Sequence, residues 1–439
     1  MTPSRSPASR VTRVAWYALL VMLAVSRSAE LVAAQPVPVE LRHVNGDVNT
    51  WQLVRDGKPY FINGVGGSDS LKLLVDCGGN SIRTWGVDHL AEKLDEAHRL
   101  GLSVTVGIWL GHERHGFKYD DPKQVADQRE RAREAIEKFK SHPAVLMWGI
   151  GNEMEGFGDG GNPAIWSAVE AIAKTAKQLD PNHPTMTVVA EIGGQRVPAI
   201  HKHCPSIDVI GINSYGGGPT VAKRYREAGG TKPFVLTEFG PNGFWESGKT
   251  SWDAPLEPTS TAKAASYRKT YEGSVLAERD KLCLGGYAFL WGQKQEATPT
   301  WFGMLLKDGS RTEAVDAMRE LWTGKPPPNR CPRIESLKLA GADQQAPGGR
   351  VSAALVANDP DGDPIKVRWE LREEPVEPTA GGDAQKTPPT HPEAIQRGDQ
   401  ASVDVRLPQK PGGYRLFAFV HDDHNGAAVA NVPILIKAP

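Results

Sequence analysis

Cysteine is scarce in this chain: four residues, Cys77, Cys204, Cys283 and Cys331, in 439 positions. Their spacings match no zinc-ligand pattern, so a metal-scaffolded fold is not expected. Four cysteines allow three full pairings, and the sequence does not choose among them or between a bridge and buried thiols. Net charge is also nearly absent. Lys plus Arg total 51 against 52 Asp plus Glu, leaving −1. So balanced a chain lacks the basic footprint of a nucleic-acid binder. Nor is there an apolar run of comfortable membrane-spanning length. The candidate, "VAWYALLVMLAV" from Val14 to Val25, is about a dozen residues against the roughly 20 a span needs. It follows Arg5, Arg10 and Arg13 and precedes "SRSAELVAAQ", where Val32 and Ala34 stand at small-residue positions before Gln35. That is the pattern of a secretory signal peptide over 1–34, with an uncleaved anchor as the alternative. The chain is therefore expected to be secreted or periplasmic and free of the membrane after cleavage. No cysteine follows the apolar run closely, which argues against a lipid anchor. Export also makes cystine chemically accessible.

A glycine-rich phosphate turn of the dinucleotide-binding kind is missing as well. "NGVGG" (Asn63 to Gly67) is glycine-rich but lacks the downstream pattern. What is present between about 51 and 325 is an alternation. Short apolar, β-branched runs end in "NGVGG", "RTWG", "GIWLG", "GIGNE", "VVAE", "GINSY", "LTEFG" and "AFLWG". Charged stretches separate them. In "VDHLAEKLDEAHRLG" (Val87 to Gly101), Leu90, Leu94, Ala97 and Leu100 recur at helical spacing, and Gly101 is a stop. "DQRERAREAIEKFKSHP" (Asp127 to Pro143) is a second helical segment. Near-continuous apolar strands imply a parallel sheet buried on both faces. Eight of them with intervening helices fit a (β/α)8 TIM barrel over 35–325, an open doubly wound sheet being the alternative.

The text changes after "TGKPPPNRCP" (Thr323 to Pro332), a proline-rich linker over 326–332. Beyond it, "RVSAALVAND", "IKVRWELRE", "ASVDVRL", "YRLFAFVHD" and "AAVANVPILIKA" alternate apolar and polar residues. They predict a small all-β, immunoglobulin-like sandwich over 333–439, separable from the barrel, with Trp369 in its core. "PVEPTAGGDAQKTPPTHPEA" reads as a mobile loop within it. "DPDGDP" (Asp359 to Pro364) carries alternate acids, as calcium loops do, but lacks the closing glutamate of an EF-hand.

In a barrel, chemistry sits at the C-terminal ends of the strands. Those ends carry Arg83 and Trp85 on strand two, Trp109 with His112 and His115 on strand three, and Asn152 and Glu153 on strand four. Strand six ends in Asn213 and Tyr215, strand seven in Glu238 and strand eight in Trp291. Glu153 and Glu238 lie three βα units apart, on opposite walls of one mouth. Two such carboxyls suit glycoside cleavage, where one protonates the departing oxygen and the other attacks the anomeric carbon. Glu155 and Glu113 are the rival acids. For Arg83 the plain alternative is a structural ion pair, and for Trp291 it is core packing. Trp245, Trp252 and Trp301 are further aromatics that could stack on a sugar. His112 and His115 have no third ligand at recognisable spacing, so no metal or cofactor is implied.

"GNE" after one apolar strand and "TEFG" ending a later one resemble the clan A retaining glycoside hydrolases, in the style of the family 2 and family 5 barrels. The resemblance spans the whole barrel, including "DGKPYFINGVGG", Arg83, Tyr215 and Trp291. It implies that Glu153 is the acid/base and Glu238 the nucleophile, and that Asn152 bonds the sugar 2-hydroxyl. It makes Tyr215 and Arg83 supports of the Glu238 anion. Arg83, Trp85, Trp109, His112, Asn152, Tyr215 and Trp291 become the substrate-binding set. One departure is Asn213-Ser214-Tyr215, where family 5 members often carry His-x-Tyr. The activity implied is an exported retaining β-glycoside hydrolase of a poly- or oligosaccharide. The alternatives are a transglycosylase using the same glutamates and an inert carbohydrate-binding barrel.

Overall fold

The structure, a computed structural model, describes residues 35–47, 49–375 and 381–438. The predicted signal peptide at 1–34 lies outside them. Among the described residues no helix is long and apolar enough to cross a membrane.

The eight apolar runs form the eight strands of a closed parallel barrel: β4 (Ile62–Gly66), β5 (Ser81–Arg83), β6 (Ser103–Ile108), β7 (Val145–Asn152), β8 (Thr185–Ala190), β9 (Val209–Asn213), β10 (Phe234–Phe239) and β11 (Cys283–Ala288). Strands β6, β9, β10 and β11 are buried along their whole length, because helices cover one face and the barrel interior fills the other. Inside, the Tyr287 hydroxyl lies 3.0 Å from Ser81 Oγ and 2.5 Å from Thr105 Oγ1. Gly64 makes room for that ring, since a Cβ there would sit 2.4 Å from Tyr287 Cδ1.

Helix α1 (Leu90–Arg99) buries Leu90, Leu94 and Ala97, the apolar stripe read from its sequence. Helix α2 (Pro122–Phe139) starts earlier than its charged run indicates. Asp121 caps it, accepting from the Lys123 and Gln124 backbone N–H groups at 2.9 and 3.2 Å, with Pro122 in the first turn. Ahead of the barrel, β1 (Val39–Arg42), β2 (Gln52–Arg55) and β3 (Lys58–Tyr60) make an antiparallel sheet that the sequence reading did not resolve. The Val39 and Trp51 N–H groups donate to Asn182 O and Lys281 O, just before β8 and β11. Val39 and Leu53 then pack with Ile62, Met186 and Leu284 and close the end of the barrel opposite the mouth.

The C-terminal part is a β-sandwich. One sheet runs β12 (Arg311–Thr312), β20 (Gly426–Ile436), β19 (Gly412–His421), β16 (Lys366–Glu373), with β14 (Gln344–Gln345) also on β20. The other runs β13 (Arg333–Ala340), β15 (Arg350–Asn358), β18 (Ser402–Arg406), β17 (Ile395–Gly398). Trp369, Leu371, Val403 and Leu416 lie in its core.

The short 326–332 linker is held against the barrel: Cys331 is buried, and its N–H donates to Asp316 Oδ2 at 2.7 Å. The sandwich packs on the barrel, and the described residues from Gln35 onward form one compact unit. Strand β12, from the barrel side, pairs with β20, and Leu306 packs with Phe417, Phe419, Ala427 and Val429. Arg415, 1% exposed, donates to Glu374 Oε1 at 2.8 Å, Asn431 Oδ1 at 2.6 Å and Pro255 O at 2.8 Å. Asn431 in turn donates to Glu257, the buried partner of Lys263.

The cysteines are four free, buried thiols. The acids Asp359, Asp361 and Asp363 bring one oxygen each within 4.8 Å of one another. Asp359 Oδ1 accepts from the Asp361 and Asp363 N–H groups, and Asp361 is paired with Arg330 at 2.6 Å, so the turn carries its own counter-charge.

The Arg415 network predicts joint unfolding. Arg415→Ala leaves Glu374 and Asn431 buried without their donor and should cost about 3–5 kcal/mol. Calorimetry of the full chain should show one cooperative transition, shifted down in the variant. Two resolved transitions, with only the sandwich's moving, would show that the domains are independent.

Candidate active site

Strand β7 ends in a sharp bend. Gly151 has φ +75°, and a Cβ there would meet Met154 Cγ at 2.7 Å. Glu153 follows with φ 53°, a left-handed conformation that a non-glycine residue holds only under local constraint. Its N–H is fixed to Val188 O on β8 at 2.8 Å. The bend is the physical meaning of "GIGNE": glycine lets the strand turn so that Asn152 and Glu153 both serve the mouth.

Glu238 is buried at the end of β10 and accepts three hydrogen bonds. Arg83 Nη1 and Trp85 Nε1 each donate to Oε1 at 2.8 Å, and Tyr215 Oη donates to Oε2 at 2.7 Å. The carboxyl thus presents only acceptor lone pairs to its neighbours. Arg83 is 2% exposed and reaches further, with Nη2 donating to Asn152 Oδ1 at 2.6 Å. Asn213 Nδ2 lies 3.3 Å from that same oxygen and donates to Glu153 Oε1 at 2.8 Å. Thr237 Oγ1 in turn donates to Asn213 Oδ1 at 2.8 Å. An unbroken polar chain, Glu238–Arg83–Asn152–Asn213–Glu153, therefore joins the two acids through strands β5, β7, β9 and β10.

The two carboxyls have unlike surroundings. Burial first, then the negative charge of Glu238, pushes the Glu153 pKa up to about 7, with the Asn213 amide pulling it down. Burial, and next the Glu238 charge, holds the Tyr215 hydroxyl well above its ordinary range, so it remains a donor. His112 is buried and stacks on Trp109 at 5.0 Å, and no described group hydrogen-bonds either of its ring nitrogens. Burial first, then the Arg114 and His115 charges, lowers its pKa to about 4, which leaves a neutral ring at physiological pH. Trp109 is 48% exposed beside it.

Of the nine site residues read from the sequence, Arg83, Trp85, Asn152, Glu153, Tyr215 and Glu238 share this network, Trp109 and His112 stack on each other beyond β6, and Trp291 stands apart. It is 1% exposed and packed in the barrel core, so it offers a sugar no open face. The aromatic that β11 delivers to the site is Phe289, two residues earlier. Its ring lies 5.8 Å from Trp85 and 5.9 Å from Tyr215, both of which hold Glu238. Trp245 is 50% exposed and meets Tyr215 edge-on at 5.7 Å. Trp301 is fully buried, its Nε1 donating to Asn242 O, and Trp252 is half-buried. The rival acid Glu155 is already engaged: Oε1 accepts from Ala190 N at 2.6 Å and from Arg196 Nε at 2.9 Å. Glu113 accepts from Asn162 instead of joining the pair. Asn213 went unrecognised as the partner of Glu153. The signal available was its place two residues before Tyr215, at a strand end.

Residues 90–254 match the family model described as glycosyl hydrolases family 2, TIM barrel domain. The chain is similar to the β-glucuronidase of Felis catus, 29% identical over 226 residues, 45% of this chain and 31% of that protein. It is 30% identical to the β-glucuronidase of Paenibacillus borealis over 192 residues, 38% of this chain and 30% of that one. The chain thus spans about a third of the length of these curated relatives. A solved β-D-glucuronidase from Dictyoglomus thermophilum shares the fold, with TM-score 0.50 and 21% identity, over 66% of this chain and 54% of that one.

The site geometry makes Glu153 sensitive to its partner. In Glu238→Gln the Glu153 midpoint should fall below about 7 yet stay above the ordinary glutamate value of about 4.3, because burial persists. Titration of glutamate-labelled protein by carbon-13 NMR measures both. An unmoved midpoint would show that the two carboxyls are not coupled.

Proposed function

We propose that this barrel, a clan A glycoside hydrolase domain of the family 2 type, cleaves β-glycosidic bonds of an oligo- or polysaccharide with retention of configuration. The observation that carries the reading is the polar chain binding Glu238 to Glu153, which ends in one carboxyl that only accepts and one whose pKa is raised to about 7.

Glu153, protonated, gives its proton to the glycosidic oxygen while Glu238 attacks the anomeric carbon and the C–O bond breaks. The Glu153 carboxylate then takes a proton from water, the water oxygen attacks the anomeric carbon, and Glu238 leaves. Asn152 Oδ1 is committed to Arg83 and Asn213, so what Asn152 can offer a sugar hydroxyl is its Nδ2 donor pair. His112, neutral and unpaired, supplies a further donor or acceptor.

The cations near the mouth are matched by acids: Arg114 by Asp383, Lys294 by Glu296, Arg196 by Glu155 and Arg224 by Glu191. A uronate carboxylate would find no spare cation among these, so a neutral sugar fits the reacting position better than the glucuronide named for the relatives. Export through the 1–34 leader is part of the same proposal.

Kinetics on 4-nitrophenyl β-glycosides of glucose, galactose, mannose, xylose and glucuronic acid test it. The best neutral glycoside should exceed the glucuronide at least tenfold in kcat/KM. Its kcat/KM should fall as pH rises through about 7, since Glu153 must carry a proton when the bond breaks. Glu153→Ala should lower turnover about 10²–10⁴-fold, with azide restoring it as a β-glycosyl azide. Early product seen by proton NMR should keep the β configuration. An inverted first product, or azide rescue in Glu155→Ala but not Glu153→Ala, would overturn the assignment.

A further inference from the structure

Glu257 is an acid buried where barrel and sandwich meet, its side chain 1% exposed. Its Oε1 accepts from Lys263 Nζ and from Thr300 Oγ1, the latter at 2.8 Å. Its Oε2 accepts from Thr298 Oγ1 and from Asn431 Nδ2, both at 2.6 Å. Three of these four donors belong to the barrel, and the fourth, Asn431, stands on β20 of the sandwich. Asn431 is itself held, because its Oδ1 accepts from Arg415 Nη1 at 2.6 Å. Lys263 Nζ also donates to Thr300 O at 2.7 Å. Charge-assisted bonds in a dry junction leave such a carboxylate little freedom.

Thr298 and Thr300 lie on the segment after β11, and that segment continues to the nucleophile. Phe302 O accepts from the Leu290 N–H at 2.9 Å, and the buried Phe302 ring lies 5.1 Å from Tyr215. The sandwich grips this segment a second time. Gly382 donates its N–H to Glu296 Oε1 at 2.8 Å, and Gln385 Oε1 accepts from the Ala297 N–H at 2.9 Å. Tyr215 gives its hydroxyl to Glu238, and its ring is set by three aromatic neighbours: Trp245, Phe289 and Phe302. Two of those three are braced from the sandwich, Phe302 through Glu257 and Trp245 by Gly381, where a Cβ would stand 3.0 Å from Cζ3. The other donors to Glu238, Arg83 and Trp85, come from the end of β5 inside the barrel.

Resting on the glycosidase reading above, we propose that Asn431 of the sandwich is a positioning residue for the nucleophile. Through Glu257 and the Thr298–Thr300 segment it fixes the Phe302 ring against Tyr215, and so aims the Tyr215 hydroxyl at Glu238. The coupling runs along one contiguous set of hydrogen bonds and packed rings. The sandwich thereby acts on formation of the glycosyl-enzyme bond from a distance.

A double-mutant cycle in the full chain reads that connection. Asn431→Leu keeps much of the volume and removes both hydrogen bonds. On the 4-nitrophenyl β-glycoside that wild type cleaves best, it should lower kcat/KM, which reports the chemistry up to release of nitrophenol, at least tenfold. In a Tyr215→Phe background, where the bond to Glu238 is already gone, the same change should lower kcat/KM less than twofold. A general loosening of the barrel would instead cost the same factor in both backgrounds. Thr300→Val removes a Glu257 donor from the barrel side and carries the same cycle if circular dichroism shows Asn431→Leu to be unfolded. Equal losses in the two backgrounds, or no loss in the folded variant, would overturn the positioning role and leave the glycosidase reading standing. Failure of wild type to cleave any aryl glycoside would remove both.

Discussion

A guanidinium buried inside a barrel costs several kcal/mol unless anions and carbonyls surround it. Arg83 meets that condition with Glu238 Oε1, Thr237 O and Asn152 Oδ1, all within 3.2 Å. Those acceptors come from β10 and β7, strands that only barrel closure brings together around β5. The arginine thus makes the fold and the site one problem: the barrel must close for its charge to be tolerated. Once closed, the same bonds fix the orientation of Glu238 and of the asparagine that precedes Glu153. The carboxyl pair then splits by environment. Glu238 faces three donors, while Glu153 has one amide and a neighbouring anion. Two glutamates of equal intrinsic acidity are thereby suited to different halves of an acid–nucleophile pair.

The rest of the chain supports that arrangement from two directions. The β1–β3 sheet seals the far end of the barrel, where no chemistry is needed. The sandwich is joined through β12 and through Arg415, then sends residues 381–385 back to the mouth. An accessory domain attached this firmly can hold a loop against the mouth in a defined position, which a domain on a free linker could not.

The barrel was legible because its strands are continuous apolar runs ended by glycine and polar residues, a pattern set by burial on both faces. "GNE" and "TEFG" were legible because polar residues at strand ends have no reason to converge unless they are used. Legibility failed where the deciding contact is distant in sequence. Trp291 stands out by residue type, whereas strand register brings the Phe289 ring to Trp85 and Tyr215. Asn213 reads as an ordinary strand-end residue until β7 is placed opposite it. The turn-rich stretch Pro375 to Ala394 looks like solvent-exposed loop because its partners, Arg114, Lys294 and Glu296, lie up to about 270 residues upstream. The strands β1 to β3 carry little periodic signal because they are short and partly exposed.

The central claim is that Glu238 forms the bond to the sugar and Glu153 moves the proton. A 2-deoxy-2-fluoro glycosyl fluoride of the preferred sugar tests it most directly, because the fluorine at C2 slows both formation and breakdown of a covalent intermediate, while the fluoride leaving group restores formation alone and the intermediate accumulates. Mass spectrometry of the treated and digested protein should find one added fluorosugar, on the peptide carrying Glu238. A label on Glu153 or Glu155, or turnover of the substrate by a Glu238→Gln variant at the wild-type rate, would contradict the account.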